Sequence, residues 1–273
     1  MSGPEPRIYA YGVMRPGRGR AGPAPLQGVA GQPVRMISRG GLAALISDLS
    51  RQESYRVDEV FGDPDLVKDM ILAHHRVLES MVDQYTVLPL RFGAVFESDD
   101  SVAAALEAHR KPLSEALERI EGAYEWGIKI FSDRAVLLSR LREGSPAIRA
   151  AREAIAATSE GRAFFLRRKL ERISEEEIDR VVGGCIVDSL QLLLSTARAA
   201  ATLKTQPRAV HGRADDMVWN GAYLVARNGE ERFFACFAAL RRIYSAFGFD
   251  YECSGPWPPS SFAECPMGAS DEP

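Results

Sequence analysis

The chain has 273 residues, of which 46% are hydrophobic and 26% are charged. This composition is typical of globular proteins, and the length favours two domains over a single core. The formal net charge of −3, from 34 basic and 37 acidic residues, gives no electrostatic reason to expect nucleic acid as a partner.

Neither the N-terminus nor the cysteines indicate export. The first residues lack the charged and apolar regions of a secretory signal, and the most apolar helix candidate, 186–194, is far too short to span a membrane. The four cysteines have no C-x-x-C spacing. We therefore expect reduced thiols in the cytoplasm rather than a membrane protein, a disulfide framework or a zinc site.

The N-terminal half alternates predicted strands and helices. A strand is predicted over 8–13, and the runs 34–38 and 42–46 form a hairpin around Arg39-Gly40-Gly41. A helix begins near 63–65, behind an acidic N-cap. Its apolar stripe has spacings of three and four and consists of Val67, Met70, Ile71, His74, Val77, Leu78, Met81 and Tyr85.

Two further elements complete this half. The run 87–92 and residues 94–96 supply another strand, and 101–120 is helical but divided by Pro112. Because His74 lies in the apolar stripe, we predict a hydrogen-bonded core residue rather than a metal ligand.

The C-terminal half predicts a second domain. Strands over 125–131, 217–225 and 249–253 are separated by a helical region from 146 to about 203 and a helix over 230–247. Glycines 161, 183 and 184 mark breaks or close-packing points in the long helical region. If 202–209 forms one more strand, the order becomes β-α-β-β-α-β, the ferredoxin-like split βαβ arrangement. The predicted fold class is α+β, with domains at 1–122 and 123–273.

One motif has the glycine spacing of a dinucleotide-binding site. Gly17, Gly19 and Gly22 form a G-x-G-x-x-G sequence directly after a strand. However, Pro23 and Pro25 prevent the helix that would hold a pyrophosphate, and the acidic residue expected about twenty positions later is absent. A mobile basic loop, whose Arg15, Arg18 and Arg20 can contact an acidic partner, is the favoured interpretation. A nucleotide-binding enzyme stays as the alternative.

No other constellation predicts catalysis. No serine or cysteine has a credible base in a nucleophile context, and Asp215-Asp216 is more typical of a solvated turn than of a catalytic dyad. We therefore expect a non-enzymatic protein without metal or cofactor.

Two segments favour docking instead of chemistry. In 87–93 a proline, Pro89, and an arginine, Arg91, interrupt an apolar strand pattern, and Arg91 either reaches solvent or pairs across a domain boundary. In 255–259 stiff prolines flank Trp257, which ends the strand pattern and suits docking at low entropy cost. We predict that this tail folds back and buries most of Trp257, with Phe262 as a second anchor.

At these residues the chain resembles the gas vesicle protein F/L family. The resemblance spans nearly the whole sequence in family order. It is carried by the runs 87–93, 220–225 and 255–259 with Phe262, and within them by Pro89, Arg91, Phe92, Gly93, Asn220, Tyr223, Gly255, Pro256, Trp257, Pro258, Pro259 and Phe262. One departure is Ser260, where the family usually carries tyrosine.

The resemblance implies an N-terminal α+β domain, a C-terminal modified ferredoxin-like domain and an extended tail. It also implies a structural or accessory protein of gas vesicles, without catalysis or cofactor. The implied partners are the main hydrophobic shell subunit and other accessory proteins, and the implied location is the gas vesicle in the cytoplasm. A generic adaptor that offers its proline-rich tail to an aromatic-grooved domain is a further alternative.

Overall fold

A computed structural model of the chain describes residues 6–16, 26–50, 52, 53 and 64–267. The chain divides into two compact units. The first comprises Met1–Glu125 with Pro256–Pro273, and the second comprises Trp126–Gly255. The division expected from the sequence, at 122/123, assigned the tail to the second domain, whereas the contacts group its described residues with the first unit.

The first unit contains one five-stranded sheet. Its order is β2-β3-β1-β4, and β5 also pairs with β1. The pairings of β1 with β3, β4 and β5, and of β2 with β3, are antiparallel. The strands are β1 (Arg7–Met14), β2 (Arg35–Arg39), β3 (Leu42–Leu49), β4 (Val87–Pro89) and β5 (Val95–Phe96).

Local sequence explains the connections of this sheet. The predicted hairpin is confirmed: Gly40 and Gly41 join β2 to β3 with φ of 61° and 81°, the left-handed values that a two-residue turn requires. The strand predicted over 87–92 ends earlier, at Pro89. Its chain turns at Gly93, where φ is 86°, before β5 begins.

Three helices accompany the sheet: α1 (Pro64–Val82), α2 (Asp99–Ala108) and α3 (Arg110–Ile120). α1 packs against β1 and β4, and α2 contacts β2 and β3. The predicted division of 101–120 is confirmed, but the break falls at His109. Pro112 lies in the first turn of α3, where its missing N–H has no helical partner to lose.

The core of this unit joins the apolar stripe of α1 to one face of the sheet. The stripe residues Met70, Val77, Leu78 and Met81 are buried with Tyr9 and Tyr11 of β1, both fully buried. The alternation of β1 places its two tyrosines on the same face. Their rings lie 5.0 Å apart.

The second unit is built on a four-stranded sheet of order β7-β8-β6-β9, in which β7 and β9 are the edge strands. The strands are β6 (Ala123–Ser132), β7 (Ala199–Thr202), β8 (Asp216–Ala226) and β9 (Phe249–Trp257). The helices are α4 (Arg134–Gly144), α5 (Pro146–Ala156), α6 (Glu160–Leu194), α7 (Arg208–His211) and α8 (Glu230–Ser245).

Several expectations for this unit need correction. The strand expected over 202–209 lies at Ala199–Thr202, and Arg208–His211 is helical. Helix α4 was not predicted. The Asp133 side chain caps it by accepting hydrogen bonds from the backbone N–H groups of residues 135 and 136. The 35-residue helix α6 runs through Gly183 and Gly184 without a break. An added Cβ at either glycine meets no atom within 4 Å, so neither is a close-packing point.

The tail also departs from its predicted conformation. Strand β9 does not end at Cys253 but continues to Trp257. It lies at an edge of the sheet, and an edge strand tolerates proline because one row of its N–H groups has no ladder partner.

An arginine organises the end of this sheet. Arg213 forms ion pairs with Asp215 at 2.7 Å, with Asp250 at 2.8 Å and with Glu252. Its guanidinium carbon also lies 4.1 Å from the ring centroid of Phe131. The hydrogen bond from Arg213 is the largest cause that lowers the pKa of Asp215. The Asp215-Asp216 pair is therefore engaged in ion pairs, since Asp216 binds Arg208.

No helix of the described residues combines the length and apolarity needed to cross a bilayer.

Candidate functional site

The first unit carries an open groove of about 530 Å³. Four stretches that are far apart in sequence form its walls: the middle of α1, the end of β4 with the segment after it, Glu125 at the start of β6, and the end of β9 with the tail after it. Apolar side chains make up most of the lining. The residues concerned are Leu72, His74, His75, Leu78, Glu79, Pro89, Leu90, Arg91, Phe92, Glu125, Trp257, Pro258 and Ser260.

His74 fixes the wall between α1 and the segment after β4. It is 3% exposed, and its Nδ1 lies 2.9 Å from the hydroxyl oxygen of Tyr9, while the ring also hydrogen-bonds the backbone of Leu90. Burial, with the neighbouring His75, lowers the pKa of His74 to about 4. The ring is therefore neutral at pH 7, which confirms the predicted hydrogen-bonded core histidine.

The same tyrosine holds the turn that follows Phe92. The Gly93 N–H donates to the Tyr9 hydroxyl at 3.2 Å, so this hydroxyl donates to His74 and accepts from Gly93. The Phe92 ring lies 6.0 Å from that of His74 and 6.5 Å from that of Tyr9. The apolar wall formed by residues 90–93 is thus held by buried hydrogen bonds, and its geometry does not depend on a ligand.

Glu125 fixes the opposite wall. This carboxylate is 7% exposed and accepts two hydrogen bonds from Ser261, one from the backbone N–H and one from the hydroxyl, both at 2.8 Å. Burial raises the pKa of Glu125, and the two bonds from Ser261 oppose that rise. The tail is consequently anchored to the first unit by a pair of bonds that sequence inspection did not find.

The prediction that Trp257 is largely buried is wrong. Trp257 is 37% exposed, whereas Pro258 and Pro259 are buried. Since the strand continues as far as Trp257, the chain folds inward only after it, and the prolines rather than the ring fill the interior. Phe262 is half-buried, and its N–H donates to the Pro259 carbonyl at 3.3 Å.

The rim of the groove combines exposed apolar and charged groups. Leu72 is 43% exposed, and Arg91 and His75 are exposed beside it. Arg91 reaches solvent, one of the two outcomes expected from the sequence. Among the described residues no group of three or more potential metal ligands occurs. This arrangement suits the binding of an apolar segment.

The remaining residues singled out in the sequence lie elsewhere. Asn220, Tyr223 and Gly255 belong to the second unit. Asn220 donates to the Lys204 carbonyl at 2.9 Å. Tyr223 is fully buried, and its ring lies 5.6 Å from that of Phe233. Both residues therefore contribute to the packing of the second unit. Gly17, Gly19 and Gly22 lie outside the described residues.

A family model described as "Gas vesicle synthesis protein GvpL/GvpF" matches residues 7–264 of the chain. The chain belongs to the GvpL/GvpF family. It is accordingly related to gas vesicles, as the resemblance implied.

Relatives and solved structures agree with this GvpL/GvpF assignment. Gas vesicle protein L of Streptomyces sp. (strain CB03234) is 31% identical over 261 residues, with 93% of this chain and 92% of the relative covered. Gas vesicle protein F of the same strain is 27% identical over 260 residues, covering 94% and 99%. The crystal structure of GvpF from Anabaena sp. PCC7120 aligns with a TM-score of 0.73 at 20% identity, covering 95% and 98%. GvpF from Microcystis aeruginosa aligns with a TM-score of 0.64 at 22% identity, covering 95% and 99%. These structures show that the GvpL/GvpF fold, a mixture of helices and two sheets, is shared.

Within this GvpL/GvpF chain, Glu125→Ala is expected to release the tail. The change leaves the Ser261 N–H and hydroxyl without their acceptor, and an unmade hydrogen bond to a charged group costs about 1.5–3 kcal/mol. Limited proteolysis should show faster cleavage within 258–267. Glu125→Gln is the matched control, because its amide can accept from the N–H and donate to the hydroxyl. Equal cleavage of the alanine variant and the parent would show that the prolines alone hold the tail.

Proposed function

We propose that the chain is a non-enzymatic accessory protein of gas vesicles whose groove binds the main hydrophobic shell subunit during vesicle assembly. One observation carries the proposal: the groove gathers Pro89, Arg91 and Phe92 with Trp257 and Pro258, residues from two distant motifs of the family resemblance. The family supplies the vesicle context, and the groove supplies a surface on which a partner can bind.

The chemistry of the groove fits such a partner. A shell subunit that forms a gas-excluding wall must be very apolar, and before assembly its apolar surface requires cover from water. Leu72 and Trp257 offer exposed apolar area, 43% and 37% of each residue, on walls that are already fixed. Little ordering is therefore needed on binding, which favours affinity.

The finer features of the family are part of the same proposal. Apart from the one-turn helix α7 between β7 and β8, the second unit has the element order strand, helices, two strands, helix and strand, with the sheet order β7-β8-β6-β9. This order supports a modified ferredoxin-like domain, with additional helices after its first strand. We place the protein at the gas vesicle in the cytoplasm, with other accessory proteins as further partners and without nucleic acid, membrane, metal or cofactor.

The alternatives have less support. An adaptor that offers its proline-rich tail to another domain needs that tail accessible, but Pro258 and Pro259 are buried and Ser261 is bonded to Glu125. The nucleotide-binding alternative rests on glycines outside the described residues. No observed contact favours either one.

Leu72→Asp is expected to weaken binding of the shell subunit about tenfold, or about 1.4 kcal/mol, because the contact loses the burial of the exposed part of the leucine and the new carboxylate loses hydration. The measurement is a pull-down titration with purified shell subunit. Leu194→Asp is the matched control, since Leu194 is 42% exposed but belongs to the second unit. Equal loss in both variants would contradict a specific role for the groove.

The same titration across a salt series, with and without chelator, tests the wider proposal. Apolar binding should survive moderate salt and metal removal, whereas an ionic contact weakens as salt screens it. Loss of capture at modest salt would assign binding to the arginines of the N-terminal loop. Of these, Arg15 pairs with Glu118 at 2.8 Å, and Arg18 and Arg20 lie outside the described residues. No capture under any condition would refute the function.

A further inference from the structure

Helices α5 and α6 of the second unit form a hairpin. Two arginines of this hairpin occupy positions at which apolar side chains normally pack. On α5, Arg152 lies four residues after Ile148 and three residues before Ile155. Ile148 is fully buried. On α6 the corresponding line runs through Ala163, Arg167 and Leu170, and Ala163 is 4% exposed. These spacings keep each set on one helical face. Arg152 and Arg167 therefore belong to the face along which α5 and α6 pack.

Between the two helices the arginines line an open notch of about 390 Å³, and no apolar side chain of the described residues fills this space. A third, Arg142 of α4, lines the same notch, and all three are exposed. Apolar side chains, Leu138, Ile148 and Leu170, provide its floor. Three exposed guanidinium groups around one apolar notch give it a positive charge that favours an anionic group.

These three arginines lack the ion pairs that neighbouring arginines have. Arg134 binds Glu175, Arg172 lies 3.8 Å from Glu176, and Arg180 lies 3.0 Å from Glu177. Among the described residues, no carboxylate is within 4.0 Å of Arg142, Arg152 or Arg167. Glu171 and Glu175 also line the notch, but Glu175 is already paired with Arg134. The notch therefore holds three guanidinium groups against one remaining carboxylate.

An exposed aromatic pair lies on α6 near the notch, with Phe164 on the helical face that bears Arg167 and Glu171. Phe164 and Phe165 are 55% and 72% exposed, and their ring centroids lie 5.7 Å apart. Phe164 precedes Arg167 by three residues, so the two lie on the same side of α6, and the guanidinium carbon of Arg168 lies 5.6 Å from the Phe164 ring centroid. Two exposed phenylalanines beside unpaired arginines form a surface that is both apolar and cationic. Surfaces of this kind on monomers mark interaction sites.

We infer that the notch and the two phenylalanines bind an acidic, amphipathic segment of a partner protein. Its carboxylates pair with Arg142, Arg152 and Arg167, for which the planar guanidinium is well suited, and its apolar side chains cover the floor and the phenylalanines. A flat anionic membrane would leave the pit unfilled. A polyphosphate or nucleic acid would meet Glu171 and Glu175 and would leave both phenylalanines exposed. This surface is separate from the groove of the first unit and does not depend on its proposed role.

The test uses a displayed library of random dodecapeptides selected against the full chain. We expect enriched peptides that combine at least two acidic residues with leucine or an aromatic residue. The enriched peptides, synthesised and labelled, are then titrated by fluorescence anisotropy. The double variant Arg152→Glu/Arg167→Glu should bind about a hundredfold more weakly, since each charge-assisted hydrogen bond contributes about tenfold. Phe164→Ser, at a residue that is 55% exposed, should weaken binding without removing any charge.

The matched control is Arg172→Glu/Arg180→Glu, which changes the net charge of the chain by the same amount but alters arginines that are already paired. It should bind the peptides as the parent does. Equal weakening in both double variants would show that only the net charge of the chain affects binding, and it would overturn the inference. A library without an acidic and apolar consensus would also overturn it. So would binding of phosphatidylserine vesicles that is lost in Arg152→Glu/Arg167→Glu while no peptide consensus emerges.

Discussion

Gly28→Ala is expected to destabilise the first unit by about 3 kcal/mol, the combined scale of overpacking a core and losing a buried hydrogen bond. An added Cβ would lie 1.9 Å from the hydroxyl oxygen of Tyr11 and 2.9 Å from Oγ of Ser47. The Tyr11 hydroxyl cannot move away without loss, because it accepts from the Val29 N–H at 2.8 Å and donates to Ser47 at 2.9 Å. The Gly28 N–H is itself bonded to the Gln32 carbonyl at 2.7 Å.

Urea unfolding measures this loss, and hydrogen exchange of peptides from β1 locates it in the first unit. Gly183→Ala is the control, since nothing lies within 4 Å of its added Cβ. In the interior of helix α6 that change should stabilise by up to about 1 kcal/mol. A Gly28→Ala variant as stable as the parent would show that the loop around Val29 moves to accommodate the methyl group.

Acidification from pH 7 to pH 4 is expected to cost the first unit about 3 kcal/mol through His74, because the folded chain holds the pKa of this ring well below its unfolded value. The pKa of His74 is about 4 in the folded chain and about 6.5 in an unfolded one. Between these values the unfolded state binds the proton and the folded state does not, so stability falls as the pH falls. Above pH 6.5 both states are neutral, and the contribution is complete.

The measurement compares urea unfolding of the parent and His74→Gln between pH 7 and pH 4. Glutamine can accept from Tyr9 and donate to Leu90 but does not titrate, so its stability should fall less with acid. Glu125 acts in the opposite direction, because its pKa is raised, but it is present in both proteins and cancels in the difference. His75→Gln, at an exposed position, removes only the smaller of the two causes that lower the pKa of His74, so it should change the pH profile less than His74→Gln does. Parallel pH profiles of the parent and His74→Gln would refute the role of His74.

The elements that depend on local pattern were predictable from the sequence. The stripe of α1 has regular spacing, and Gly40-Gly41 specifies its own turn. His74 was assigned to the core because it shares a helical face with Val77 and Leu78. In each case the informative residues lie within a few positions of one another, so no knowledge of the tertiary structure was needed.

The features that depend on distant pairing were not predictable. The burial of Trp257 was predicted from its stiff neighbours, but its exposure depends on β9 continuing at a sheet edge. Glu125 gave no signal as an anchor, because its partner Ser261 is 136 residues away. The convergence of Arg142, Arg152 and Arg167 required three helices to pack together. The opposite pKa shifts of His74 and Glu125 likewise arise from burial, which the local sequence does not specify.

The order of synthesis determines when the Glu125–Ser261 hydrogen bonds can form. The first unit is interrupted by Trp126–Gly255 and resumes at Pro256, so one wall of the groove is synthesised only after the whole second unit. Until that segment emerges, Glu125 has no Ser261 to bond, and Trp257 and Pro258 are absent from the groove. Because domains fold progressively during translation, a nascent chain would contain the sheet and α1 well before it has a complete groove. Only a chain translated through the tail is then competent to engage a partner there.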